Sequence, residues 1–429
     1  MNKEFFIKKF SDFVDSISEE NCHNYDEYYT KIKIIKKEMN EVIDEFININ
    51  TFNLTYKKIV FENDFNKNPY LSNCIKHLTF GDKFNQPVDN LPNSITHLTF
   101  GNNFNQSVDN LPNSITHLTF GNNFNQSVDN LPNSITHLTF GFYFNQPVNN
   151  LPNSITHLTL GAYFNQPLNN LPNSIIHLIF NHEFNQPVDN LPNSITHLTL
   201  GNSFNQSVDN LPNSITHLTF GDKFNQPVDN LPNSITHLIF GNKFNQSTDN
   251  LPNSITHLTF GYGFNKSIDN LPSSITHLSF GHYFNQLVDN LPNCITYLSF
   301  EHHFQQPINN LPNSVKYLFL GQYSRHKINN LPSSLEYLYL DNTKKYLQND
   351  LAKKIKYIFN KENEVYTNYL KHKIFDPQCN LFRKIFYFKN DILGSVIFED
   401  LTKYVFNPQR LTRYAEKYNL TVDEYLDFL

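Results

Sequence analysis

A histidine returns every twenty residues through most of this chain: His77, His97, His117, His137, His157, His177, His197, His217, His237, His257 and His277. The same position then carries Tyr297, Tyr317, Tyr337 and Tyr357. Imidazoles titrate near neutral pH and ligate transition metals, so such a row raises acid–base and metal chemistry as possibilities. Acid–base catalysis needs unlike partners held in a cleft, whereas here one side chain repeats beside itself. No carboxylate or cysteine joins the row in register to complete a metal-ligand set. No Ser-His-Asp constellation, Gly-rich phosphate loop or His-Glu-x-x-His stretch is found. The expectation is therefore no enzyme, no cofactor and no metal.

The spacing of the histidines is the spacing of everything around them. Residues 111–130, LPNSITHLTFGNNFNQSVDN, repeat residues 91–110 without a change. With Leu111 as slot one, 14 full units run from residue 71 to residue 350 without an insertion. A weaker unit precedes them at 52–70, and a trace follows at 351–359. Blurred ends are what capping units of a stacked array look like. Six slots are apolar in most copies, in this unit Leu111, Ile115, Leu118, Phe120, Phe124 and Val128. Leu118 and Phe120 alternate with His117 and Thr119, which predicts a short strand within 115–120 with one face buried. Such a strand completes its hydrogen bonds only by lying parallel to its copies.

Gly121 follows the strand and is expected at positive φ, with Asn181 and Asp341 as the next most tolerant residues there and Glu301 outside that explanation. Pro112 fixes the chain before the next strand. Asn125 and Asn130 are expected to bond backbone groups at the corners. Slots ten and fourteen supply nearly continuous Phe columns, and burying each ring contributes about 1.5–3 kcal/mol. The last full unit carries Lys344 in place of the second Phe, which predicts fraying.

The pattern L-P-x-x-I-x-x-L-x-F resembles the leucine-rich repeat, notably its short bacterial form. Phe-Asn-Gln replaces the usual Asn-x-Leu, and with LPNS and LTFG this makes "ITHLTFGNNFNQSVDNLPNS" similar to the FNIP repeat of social amoebae and giant viruses. The resemblance covers roughly 52–350. It implies a leucine-rich-repeat-like solenoid, with one parallel strand per unit on a concave face and an irregular convex side. It carries no catalytic residues. Some FNIP proteins carry an F-box that recruits a ubiquitin ligase, but its Leu-Pro-led helical pattern does not occur at this N-terminus.

Composition and charge restrict the function classes further. The 429 residues carry a net charge of −6, and residues 71–330 hold 13 acidic against 8 basic side chains, with no basic stripe for phosphates. Nucleic acid is therefore not an expected partner. No stretch approaches eighteen apolar residues, so no membrane span is expected. The opening MNKEFFIKKFSDF has charges through every apolar run and does not read as a signal peptide. Cys22, Cys74, Cys294 and Cys379 include no zinc-like pair, and Cys74 and Cys294 share a slot eleven units apart. These features predict an intracellular, cytoplasmic protein, in the host cytoplasm if viral.

Three domains are expected: an N-terminal helical cap (1–50), the solenoid (51–360) and a C-terminal helical segment (361–429). Tyr28, Ile32, Ile35, Met39, Val42 and Phe46 form an amphipathic stripe over 24–47. At the other end 392–406 looks helical, Asn407-Pro408 offers an N-cap and first-turn proline, and Thr421–Glu424 a capping box.

By alternation, slots seven and nine face away from the core. At a strand spacing of about 4.8 Å the eleven imidazoles would extend roughly 50 Å. The row has three readings: a stiffening surface stack, a partner-binding face, and metal binding by neighbouring pairs, in descending order. The expected function is a non-enzymatic protein–protein interaction scaffold. Its contact residues would be His217, His237, His257, His277, Tyr297, Tyr317 and Tyr337, with Thr219 and Thr259, centred on the change from His277 to Tyr297. The alternatives are a substrate-recruiting adaptor for a host ubiquitin ligase and a structural product of repeat expansion without a ligand. Oligomeric state is left open.

Overall fold

The computed structural model describes residues 58–340, apart from 70, 72 and 322–329, together with 357–360. The helices expected in 1–50 and 361–429, and Lys344, lie outside the described residues. Among the described residues there is no helix, and so none long and apolar enough to cross a membrane. The chain divides into two compact units, Met1–Gln186 and Pro187–Leu429. Among the described residues, seven strands fall in the first, from Lys58–Val60 to His177–Phe180, and nine in the second, from His197–Thr199 to Tyr357–Asn360.

Each unit is a parallel β-solenoid with turns of about twenty residues. In the first, His97 pairs with His117 and Leu98 with Leu118; in the second, His237 pairs with His257 and Leu238 with Leu258. Like therefore lies on like. The first pairing is offset by nineteen, Lys58 with His77, because the weaker opening unit is one residue shorter. The expected strand is found, trimmed to His117–Thr119. Backbone bonds continue one residue beyond it at each end: Thr116 N–H donates to the Thr96 carbonyl (2.8 Å) and Phe120 N–H to the Thr139 carbonyl (2.9 Å). Upstream, Ile115 N–H closes a turn onto the Pro112 carbonyl at 3.2 Å, so Pro112 pins the corner before the strand.

All six apolar slots are buried, with Ile115 and Phe124 at 0% exposure. Within a turn, Phe120 stacks on Phe124 at 3.7 Å. Between turns, each Phe column stacks on itself. The spacing differs across the coil: His217–His237 are 4.2 Å apart, Phe220–Phe240 5.5 Å and Phe224–Phe244 6.0 Å. The first unit gives 4.1 Å for His97–His117, 5.6 Å for Phe100–Phe120 and 6.0 Å for Phe104–Phe124. Pure translation would make these distances equal. Successive turns therefore also rotate, closing up on the histidine side and opening on the side of the second Phe, which puts the histidines on the inside of the bend.

A ladder of asparagines holds the opposite corner. Asn105 N–H donates to Asn85 Oδ1 and Asn125 N–H to Asn105 Oδ1, each at 2.9 Å. This is the expected role of Asn125. Asn130 differs from expectation, since its Nδ2 donates to the Asp109 carboxylate of the preceding turn at 3.1 Å. Only where that position is Asn does the amide reach a backbone carbonyl, as in Asn170 to Asn149 at 3.0 Å.

The glycine column also corrects the sequence reading. Gly121 does not lie at positive φ, nor do the slot-eleven glycines from Gly81 to Gly161 and from Gly221 to Gly281. What they require is proximity: a Cβ on Gly121 would sit 2.1 Å from the Gly101 carbonyl oxygen and 2.3 Å from its carbon. Glycine is present because one backbone rests on the next, not because of a left-handed conformation. The pairing runs one residue further at Leu160 with Phe180 before Asn181 and at Phe280 with Phe300 before Glu301, but also at Phe300 with Leu320 before Gly321.

Gly121→Ala is expected to destabilise the protein by about 1–3 kcal/mol, because the obstacle is backbone and cannot rotate away. Asn113→Ala, at an exposed turn position, is expected to stay within about 0.5 kcal/mol of wild type. Denaturant unfolding of the two variants checks this, and equal midpoints would refute the close-approach explanation.

Candidate functional site

The strands fix slots seven and nine on one face, because the buried residue between them alternates with both. In the second unit this face carries His217, His237, His257 and His277, stacked at 4.2 Å with planes 11–12° apart. The structure thus brings together four of the expected contact residues. Thr219 and Thr259 lie half-buried on the same face. In the first unit a like stack runs from His77 to His177 at 4.1–4.4 Å.

A residue type the sequence reading passed over holds the rings. Thr256 in slot six donates its hydroxyl hydrogen to the Thr236 carbonyl at 3.2 Å, and its oxygen lies 2.9 Å from His257 Nδ1. A hydroxyl has one hydrogen to give, so with it engaged the imidazole nitrogen must be the donor. This favours the Nδ1–H tautomer and leaves the lone pair on Nε2. The same pairs recur at Thr216–His217, Thr236–His237 and Thr276–His277. The signal was legible as a threonine preceding most histidines.

At the change of residue the column alters. His277 to Tyr297 opens to 5.8 Å, and Tyr297 leans toward Phe319 at 5.7 Å. Burial pushes the Tyr297 phenol up, opposed by hydrogen bonds with Ser299 and Ser279. Tyr317 and Tyr337 resume the stack at 4.6 Å, and Phe319 and Tyr339 stack beside them at 5.1 Å in slot nine. The face therefore passes from imidazoles flanked by small hydroxyls to a four-ring aromatic patch, with Tyr297 partly withdrawn into it; here slot nine departs from the outward placement expected of it, since Ser299 and Phe319 are buried.

Parallel stacking bears on metal binding by this row. Nitrogen lone pairs lie in the ring planes, and nearly parallel planes do not converge on one ion. A different group does converge. His282, Glu301 and His302, in slots eleven and twelve, present ligand atoms all within 4.8 Å of one another. The sequence reading, fixed on slot seven, missed this group. It also missed the exposed rings of Phe142, Tyr143 and Tyr163, which cluster at 5.0–5.4 Å in the first unit. Both are departures from the repeat consensus, visible only once the slots of neighbouring turns are known to touch.

Burial and crowding disfavour protonation of several of the stacked imidazoles. His257 is lowered to about 3, first by burial and then by His277, His237 and His217. In the first unit His97, His117 and His157 are lowered by burial and then by neighbouring histidines. The unfolded chain protonates near 6.5, so it takes up protons before the folded state does. The resulting stability is complete above pH 6.5 and is lost as pH falls below it, down to about 3 for His257. The thermal midpoint is expected to hold from pH 8 to 7 and drop between about 6.5 and 5, above the carboxylate range. His257→Gln should flatten that slope in a differential scan across those pH values. A wild-type profile flat from 7.5 to 5 would contradict a desolvated, crowded column.

The FNIP Repeat family matches residues 65–323 through overlapping copies. Among solved structures, the chain is similar to CroV588 of a giant virus, described as a circular LRR protein, with 49% identity and a TM-score of 0.63. That match covers 71% of this chain and 48% of CroV588, so the chain spans about half its relative's length. YopM of Yersinia enterocolitica matches at 18% identity and TM-score 0.35, covering 64% of this chain and 76% of its own. An internalin of Listeria monocytogenes matches at 15% and 0.41, covering 72% and 87%. These two are too distant to carry an argument. No curated protein matches the chain.

Proposed function

Because this chain belongs to the FNIP repeat family, whose units here build a parallel β-solenoid, we propose that it is a non-enzymatic scaffold that binds a protein partner along slots seven and nine. One observation carries the reading. On the inside of the bend, His217 to His277 present a rigid row of half-buried rings that leads into the aromatic patch of Tyr317, Phe319, Tyr337 and Tyr339. Flat rings and hydroxyls held by backbone ladders lose little side-chain entropy on binding, which is the chemistry of interface anchors. The partner it suits presents apolar or aromatic side chains with hydrogen-bonding groups between them. A reducing, intracellular setting agrees with the thiols of Cys74 and Cys294.

The test places charge on the face without touching the core. Thr219→Arg combined with Thr259→Arg puts two cations among the rings, and Asn253→Arg at an exposed turn position serves as control. Proximity labelling in the native cell should recover a partner with wild type and control, and about tenfold less with the double variant. Equal recovery by all three would remove this face from the function. Loss of ligase core subunits on deleting 361–429, with the face variant unaffected, would instead favour the adaptor reading.

A further inference from the structure

We propose that His282, Glu301 and His302 form a binding site for a divalent transition-metal ion, Zn2+ being the occupant their donor set suits, that clips two successive turns together. His282 comes from one turn and Glu301 and His302 from the next, and their ligand atoms lie within 4.8 Å of one another. Two imidazoles and one carboxylate are a sufficient protein set for Zn2+, with water in the remaining position. Metal–ligand bonds of about 2.0–2.2 Å would require these atoms to close to about 3.3 Å, a side-chain rotation rather than a backbone movement.

Three further observations point the same way. His282 Nδ1 is buried and has no hydrogen-bond partner, an arrangement that costs free energy unless something fills it. The rings of His282 and His302 are not parallel like those of slot seven; they are 4.8 Å apart and tilted by 36°, so their planes intersect. Glu301 stands in the slot that is glycine in most turns. A carboxylate has replaced glycine at the turn where histidine stands in slot twelve on both sides of the contact, a variable slot in which asparagine is the commonest residue. The site is separate from the slot-seven face, so this inference stands or falls independently of the proposed partner.

Reversion to the repeat consensus provides a test that leaves the architecture intact. His282→Asn, Glu301→Gly and His302→Asn together restore the residues found in other turns, as in Asn202, Gly241 and Asn242. Untagged full-length protein, stripped with chelator and dialysed against low-micromolar free Zn2+, should retain one more equivalent than the triple variant. Added Zn2+ should raise the thermal midpoint of wild type but not of the variant. Co2+ should give wild type a visible d–d band that Zn2+ displaces, whereas the variant shows none. Glu301→Gln, which keeps size and removes charge, should weaken Zn2+ retention at least tenfold while leaving the circular dichroism spectrum unchanged. Equal Zn2+ retention by wild type and triple variant, or no Zn2+-dependent shift in wild type, would overturn the site.

Discussion

The structure depends on one contact, the seating of each turn's backbone on the backbone before it. At the slot-eleven glycines from Gly81 to Gly161 and from Gly221 to Gly281 the approach is so close that a Cβ would lie 2.0–2.3 Å from the preceding turn's carbonyl oxygen, and among the full units described only Asn181 and Glu301 carry a side chain there. With that contact fixed at a twenty-residue step, every slot meets its own copy. The sequence must then choose residues that are tolerable beside themselves. Phenylalanine satisfies this in the core because rings stack. Asparagine satisfies it at the corner because its side-chain carbonyl oxygen accepts from the next turn's N–H, as Asn105 Oδ1 does from Asn125 N–H.

Charged slots obey the same constraint by other means. The aspartates of slot nineteen form a column of like charge, yet each is bridged rather than left to repel. Asp109 accepts from Ser107 at 2.7 Å and from Asn130 of the next turn at 3.1 Å. Those two bonds hold its carboxyl below the ordinary range, and Asp249 and Asp269 follow the same pattern with their own serine and asparagine. In the histidine column the rotation of the turns brings rings 4.2 Å apart, and burial and then neighbouring imidazoles disfavour the charged form of His97, His117, His157 and His257. Curvature and titration are thus one property of the stack.

Regularity also explains where distinct chemistry arises. A perfect repeat offers the same small surface many times, so specific sites must come from departures: Tyr317 and Phe319 replacing histidine and threonine, Glu301 replacing glycine, His282 and His302 in a variable slot where asparagine is the commonest residue. In one dimension these look like scattered drift. In the stack, a substitution twenty residues along is an immediate neighbour, and three departures from two adjacent turns converge within 4.8 Å.

The sequence by itself determined the period, the six buried slots, the single parallel strand per turn, the family and the outward face of the histidines. A fixed repeat with two-residue alternation leaves no other way to bury Leu118 and Phe120 together. It misled on Gly121, because backbone proximity and positive φ both select glycine and composition does not distinguish them. It misassigned Asn130, because an amide's partner depends on which group the adjacent turn brings within 3 Å or so. Only the tertiary structure decided the sense of the bend, the threonine that holds each imidazole, the withdrawal of Tyr297 and the meeting of His282 with Glu301. These follow from a small rotation between turns, a quantity set by packing summed over the whole coil and written in no single residue.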